Sequence, residues 1–309
     1  MPSPVYKTAF GAWPVDTMMR GKEVNDSTID GVTGHHYPAR LFPPVNHLLV
    51  VARGAPAATG ILTNAFLCFA DWQMVLEREA VDPAAKLIAT AGAEIGVPLK
   101  MRMDASKILA DEAVHAHYAQ AQFAAVCATQ GIEWLYLEKP RFVRRLQNVL
   151  ARADATHRRL LELLFAAVVE TLISSQLSEI PNDPSVLMST REFVRLHAVD
   201  ECRHHALFAQ FIPLLWTHLT SAQREIVGPY VPKFMRWFLE PDIRNLDSVL
   251  VSQGFSMREI EAIIGDSFPQ NGVDASMRQT AAKTISYFRR AGAFDVPAVA
   301  DAFEALRLL

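Results

Sequence analysis

The chain is poor in the features that mark several common protein classes. It has 3 cysteines in 309 residues, Cys68, Cys127 and Cys202. That odd number, without C-x-x-C spacing, argues against a disulfide framework or a zinc knuckle and fits a reducing compartment. Basic charge is not in excess: Lys+Arg 30 against Asp+Glu 33 leaves a formal net charge of −3, so nothing global draws the chain to nucleic acid or to an anionic membrane. The opening MPSPVYKTAFGAWPVD lacks a charged segment followed by an apolar one, and no signal peptide is expected there. Gly 14 and Pro 18 are close to ordinary usage, which excludes collagen-like and low-complexity readings. Alternating strand patterns are scarce, and no period of a solenoid repeat is present. The most apolar run, Leu160 to Leu177, has the length of a membrane span but carries Glu162 and Glu170. It reads as a deeply buried helix of a cytoplasmic protein, with no membrane partner.

What the sequence does contain is helix. Long Ala/Leu/Met/Glu-rich windows predict helices near 58–80, 84–95, 101–130, 139–152, 155–180, 186–219 and 221–240, with breaks at Asp82-Pro83, Gly96-Val97-Pro98, Pro140, Asp154 and Pro181 to Pro184. Beyond about residue 241 two shorter helices are expected, one opening on Ser256 and one on Asp274 or Ser276 as N-caps. Residues 1–57 are broken by Pro14, Pro38, Pro43, Pro44 and Pro56 and read as an irregular N-terminal arm. The expected fold is therefore all-α and a single domain over 1–309: the arm, a helical bundle core over 58–220, and additional C-terminal helices over 221–309.

Two segments share one pattern. Asp111-Glu112-Ala113-Val114-His115 and Asp200-Glu201-Cys202-Arg203-His204 both read D-E-x-x-H. On a helix, i and i+3 lie on one face, so each segment presents a carboxylate and an imidazole to one point. Ahead of each lies a further helical glutamate, Glu77 and Glu170. The order Glu, ExxH, Glu, ExxH is the way a four-helix bundle holds two metal ions. Four carboxylates would neutralise two divalent cations. Imidazole and carboxylate ligands with open positions suit iron that meets dioxygen, with manganese as the other candidate and structural zinc not suggested. His197, four residues before Glu201 and seven before His204, falls on the same stripe and offers the second metal an additional nitrogen. Asp111 and Asp200 are turned about 100° from the adjacent glutamates, placed to accept a hydrogen bond from an imidazole on another helix, with Arg203 able to compensate such a carboxylate.

This arrangement, Glu77, Glu112-x-x-His115, Glu170, His197-x-x-x-Glu201-x-x-His204, resembles the p-aminobenzoate N-oxygenase family, the AurF-like non-haem diiron oxygenases, over roughly residues 60–210. The resemblance implies a ferritin-like core and two iron ions. It places Glu77, Glu112 and His115 on one iron and Glu170, His197, Glu201 and His204 on the other, with Glu112 and Glu201 bridging. It also implies O2 as co-substrate and oxidation of an amine to a hydroxylamine, in some members to nitroso or nitro products.

Blander readings apply to single residues. A lone helical glutamate is ordinarily a solvated one, as expected of Glu79, and a lone ExxH carries little weight. Glu170 differs because Leu163 to Val169 and Leu172-Ile173 surround it, so it needs a partner. His117 and His205 point elsewhere on their helices, and Met18, Met19, Trp72, Met74 and Phe208 read as core. For the substrate, Ala58 to Leu76 contains no Lys or Arg to meet a carboxylate. Arg191, Arg195 and Arg203 only flank the His197 stripe. A small-molecule amine and an aminoacyl group on a carrier protein are both compatible, in natural-product biosynthesis, with a reductase or ferredoxin as electron donor and a homodimer left open. The competing functions are a ferritin-like C-hydroxylase or desaturase, which His197 weighs against, and iron storage, for which the C-terminal extension has no role.

Overall fold

A computed structural model describes residues 5–18, 34–92, 94–132 and 137–309, apart from the side chains of 174–176. The described residues form an all-α ferritin-like bundle with no named strand. Met19 lies outside them.

Helix α1 (Ala55–Leu76) begins after Gly54, whose positive φ of 80° turns the chain, with proline in its first turn. It passes into a single π-turn, Glu77–Val81, and then into α2 (Asp82–Thr90). The expected break at Asp82-Pro83 is absent. Proline sits in the first turn of α2, directly behind the π-turn, where the helical hydrogen-bond pattern changes. The expected end near residue 95 comes earlier, at a left-handed Ala91. Helix α3 (Leu99–Gln130) is long and closes on Gly131 at φ 65°.

Helix α4 (Arg141–Leu150) follows Pro140, and α5 (Ala155–Leu177) is capped by Asp154, whose side chain accepts from the amides of Thr156 and His157. Helix α6 (Met188–His218) runs through Pro213. The predicted single helix over 221–240 is two helices, α7 (Ser221–Val227) and α8 (Tyr230–Leu239). Gly228-Pro229 separates them, because proline supplies no amide to continue the first.

Three more helices precede the last: α9 (Ile243–Ser252), α10 (Met257–Ser267) and α11 (Gln270–Arg290). Ser256 and Glu259 form a reciprocal capping box on α10. The cap expected at Asp274 or Ser276 is wrong. Helix α11 starts after Pro269, and Asp274 is a buried residue inside it that accepts hydrogen bonds from Gln270 and Arg236. Helix α12 (Pro297–Ala305) completes the chain.

The bundle consists of α1 against α3, α3 against α6 and α5 against α6, with α8 and α11 packed on the outside of α5. One apolar cluster runs from Tyr6, Phe10 and Met18 in the arm, through Phe165, Phe208 and Phe211, to Phe288, Phe303 and Leu308. Burying side chains of this size from both ends of the chain is the main stabilising term of the fold. No helix among the described residues is long and apolar enough to cross a membrane.

Candidate metal centre

The four bundle helices carry the acidic and imidazole side chains inward. Glu77 opens the π-turn, where the wider i→i+5 ring shifts the helix face presented to the interior. Glu112 and His115 share a face of α3, Glu170 lies in α5, and His197, Glu201 and His204 occupy one stripe of α6. All seven are at most 2% exposed. By contrast Glu79 is exposed and accepts from Lys139 and Gln147. His117 is exposed, while His205 is satisfied by the Tyr287 hydroxyl at 2.9 Å.

The seven fall into two groups whose ligand-type atoms lie within 4.8 Å of one another: Glu77, His115 and His197, and Glu112, Glu170, Glu201 and His204. Glu112 spans both, with Oε2 3.5 Å from His115 Nδ1 and Oε1 3.1 Å from His204 Nδ1. Glu201 Oε1 is likewise 3.7 Å from His115 Nδ1 and 3.4 Å from His204 Nδ1. The grouping of the side chains differs from the expected partition at one residue. His197 stands with Glu77 and His115, its Nε2 3.5 Å from Glu77 Oε1 and its ring 4.0 Å from that of His115. The reason is axial distance: seven residues of helix separate His197 from His204 by about 10 Å, so the two flank Glu201 from opposite sides.

The outer contacts cross between the two repeated motifs. Nε2 of His115 faces Oδ2 of Asp200 at 3.2 Å, and Nε2 of His204 faces Oδ2 of Asp111 at 3.2 Å. Arg203 donates to Asp200. A carboxylate can only accept, so each Nε2 carries the proton and each Nδ1 turns its lone pair inward. There it meets more lone pairs. Both oxygens of Glu77 and Glu112, one each of Glu170 and Glu201, and Nδ1 of His115 and His204 have no aligned hydrogen-bond partner. Buried acceptors that converge on acceptors are costly unless cations sit between them. Two metal ions fit this donor set, and no thiolate is part of it.

The electrostatics of the seven side chains report the same strain. Burial pushes Glu77 well above the usual carboxylate range, with Glu112 adding to it, and burial together with Glu201 and Glu112 does so for Glu170. Against burial, the hydrogen bond to Asp200 and the nearby carboxylate of Glu112 lift His115, and the charges of Glu201 and Glu112 lift His204. Burial and neighbouring His115 pull His197 down. Against burial, the charge of His204 together with the neighbouring imidazole contacts holds Glu112 and Glu201 below the usual range. Protons thus occupy some of the positions that cations would otherwise neutralise.

Sequence reasoning missed several partners. Gln73 Nε2 lies 3.0 Å from Nδ1 of His197, one turn ahead of Glu77, and that i−4 spacing could have signalled it. The indole of Trp13 donates to Asp111 at 2.8 Å, the Thr17 hydroxyl donates to Asp111 at 2.7 Å, and the Met18 amide donates to Asp200 at 3.0 Å. Nothing in the spacing of an irregular arm announces contacts across more than ninety positions.

A separate cavity of about 420 Å³ is lined by Tyr37, Phe69, Trp72, Phe142, Trp237 and Phe238, with Met277 and Thr280 from α11. None of the seven residues lines it. Two paths lead from it toward them, each longer than one helical turn. Phe69 is one turn from Gln73, and Thr280 is one turn from Thr284, which donates to the carbonyl of Thr171 beside Glu170. Its charged lining is Arg141 against Glu179, Glu240 and Asp242. Arg191 donates instead to the Pro181 carbonyl, and Arg195 pairs with Glu192.

Fold and cluster together define a helical-bundle protein whose buried carboxylates and imidazoles are arranged to hold metal. The comparisons carry this further. The family model of the p-aminobenzoate N-oxygenase AurF matches residues 100–292, more than half of the chain, and the chain belongs to this family of diiron oxygenases. It is therefore an oxygenase. Over 235 residues, 74% of this chain and 68% of the relative, it is 23% identical to a 4-aminobenzoate N-oxygenase of Streptomyces thioluteus. The family match contains six of the seven cluster positions. Glu77 lies ahead of it and joins the group through the fold.

Proposed function

We propose that Glu77, Glu112, His115, Glu170, His197, Glu201 and His204 hold two iron ions, and that the chain uses O2 to oxidise the nitrogen of a primary amine. The observation that carries this reading is the set of unpaired lone pairs converging on two points in a member of an N-oxygenase family. When bound, the metal pair supplies the redox chemistry that activates dioxygen. The protein's own residues do the rest. Asp111 and Asp200 hold two imidazoles with Nδ1 inward. Phe193 against His197 and Phe10 against His204, both buried, keep water away from the cluster. Oxidation to a hydroxylamine puts one oxygen atom on nitrogen, and two electrons and two protons from a separate donor, a reductase or ferredoxin, reduce the other to water.

The lining of the cavity supports a reading of the substrate class. Its aromatic walls fit an arylamine. A free aminobenzoate would bring its carboxylate to a lining with three acids and one arginine, and that arginine already faces Glu240 Oε2 at 3.9 Å. Burial, reinforced by Asp71 and Asp242, pushes the Cys68 thiol of the same wall up to about 12, so it adds no charge. The substrate is an arylamine or aminoacyl group whose carboxylate is masked, as an ester, an amide or a carrier-bound thioester, and a place in natural-product assembly follows from such a substrate.

The test loads the protein with iron anaerobically, adds labelled O2 and a panel of free and esterified arylamines, and reads products by mass. Two irons per chain and label on the nitrogen of the masked amine are expected. Label on carbon would transfer the protein to the hydroxylase class, and a chain that takes up no iron would overturn the reading.

A further inference from the structure

The two outer carboxylates are not equivalent. Asp200, behind His115, receives a backbone amide from Met18 and the Arg203 guanidinium. Asp111, behind His204, receives the indole N–H of Trp13 on both oxygens, at 2.8 and 2.9 Å, and the Thr17 hydroxyl. The third imidazole, His197, ends on Gln73. Among the described residues only one of these three outward paths therefore ends on a side chain that can give up an electron. It runs from the cluster through His204, Asp111 and Trp13 by two hydrogen bonds, 3.2 and 2.8 Å long. Its inner members are fully buried, whereas Trp13 is only half-buried and sits in an exposed single turn of the arm, between Ala12 and Pro14.

We propose that Trp13 is the one-electron relay between the protein surface and the metal pair, an inference that rests on the dimetal reading above. When the centre has been oxidised by O2 with no amine to receive the oxidising equivalents, Trp13 gives it one electron through Asp111 and His204 and becomes an indole radical cation. The N–H keeps its proton, and the new positive charge faces the Asp111 carboxylate that accepts that N–H. A one-electron donor at the surface then returns the indole to its resting state. The balance is one electron from donor to indole and one from indole to centre, with no bond made or broken. Lys107, 5.7 Å over the same ring, sets a like charge beside the cation. That repulsion keeps the radical short-lived and favours its prompt reduction. The arrangement gives surplus oxidising equivalents an exit other than the buried ligands.

The experiment uses the full chain loaded with iron, its stoichiometry measured first. It is exposed to O2 without amine, freeze-quenched and examined by electron paramagnetic resonance. The expected result is a protein radical that narrows when the tryptophans carry ring deuterium and disappears on adding ascorbate. Trp13→Phe, loaded to the same measured iron content as wild type, is expected to lose the signal, and Trp13→Tyr to replace it with a tyrosyl line shape. A full-size tryptophan signal in Trp13→Phe, or no protein radical in wild-type protein that holds two irons and consumes O2, overturns the relay alone. Failure of the wild-type chain to bind iron overturns the dimetal reading and the relay together. Deuteration of the wild-type protein gives its result even if the phenylalanine variant does not fold.

Discussion

Asp111 and His204 lie on different helices, 93 positions apart, and meet through Oδ2 and Nε2 at 3.2 Å. Asp200 and His115 repeat the relationship at the same distance. Each D-E-x-x-H segment thus shares its glutamate between the two imidazoles and lends its aspartate to the imidazole of the other. The two helices are cross-braced at the site, and neither histidine can change tautomer without losing its outer partner.

The first prediction follows from that bracing. Asp111→Asn removes the anion that fixes the His204 tautomer and is expected to weaken iron binding by about 10–100-fold, measured by competition with a chromogenic chelator. Asp104 is a control two turns earlier on the same helix. It is equally buried but paired with Tyr6, Thr8 and Lys107 rather than with an imidazole. Asp104→Asn should lower thermal stability and leave iron affinity where it was. Equal loss of affinity in both variants would mean that the effect is structural.

The second concerns pH. Glu77, Glu170, His115 and His204 all hold their protons to higher pH in the folded protein than they would unfolded. Above pH 6.5 the folded metal-free state therefore binds more protons than the unfolded one, and stability must fall as pH rises. Glu112 and Glu201, shifted downward, act in the opposite sense but complete their contribution below that pH, and His197 completes its own by about pH 8. Each of the four upward-shifted groups contributes a slope of up to about 1.4 kcal/mol per pH unit while it titrates. Thermal melts of metal-free protein from pH 6.5 to 9 should show a falling midpoint, and iron loading should flatten it because cations replace the protons. A midpoint that rises over this range would contradict the burial of unpaired carboxylates.

How much of this was readable beforehand depends on whether the signal was local. Helices of three turns or more announce themselves through composition, and the seven acidic and imidazole positions could be picked out because i, i+3, i+4 and i+7 spacings are built into the chain. The π-turn at Glu77 could not be read, since five-residue rings leave no periodic trace in so short a stretch. The side on which His197 falls depends on the axial offset of α6 against α3, which no single helix encodes. The arm was legible only as irregular. Its purpose, hydrogen bonds from Trp13, Thr17 and Met18 to the two bracing aspartates, exists only between distant segments. The division of α7 from α8 is local and lies in Gly228-Pro229, where proline interrupts the helical composition of 221–240.

A third prediction has opposite signs with and without metal. Glu170 is buried among apolar neighbours and pushed upward by burial and by Glu201. Glu170→Gln removes a carboxylate that the metal-free protein must keep protonated at a cost. Above neutral pH it should stabilise the metal-free form by about 1–3 kcal/mol. The same change removes an anionic oxygen from the Glu112, Glu170, Glu201 and His204 group and should lower the iron taken up per chain. Melts at pH 8 with and without iron check both signs. Destabilisation in both states would show that Glu170 is held by contacts other than cations.

The last prediction tests the charge balance of the cavity. Arg141 is the cation in its lining and faces Glu240, which is also paired with Arg145 and Arg236. Glu240→Gln frees Arg141 to meet an incoming carboxylate without adding a new group to the wall. Arg141 is about half exposed, 47% at the side chain, so the gain is limited to the range of exposed ion pairs, about 0.4–1 kcal/mol. That corresponds to a roughly two- to five-fold fall in KM for free 4-aminobenzoate, with KM for its methyl ester unchanged. The comparison of the two substrates in one variant cancels any loss of folded enzyme, because such a loss lowers both rates alike and leaves both KM values in place. If KM for the free acid does not move relative to the ester, the acidic lining does not govern selection, and the masked carboxylate loses its support.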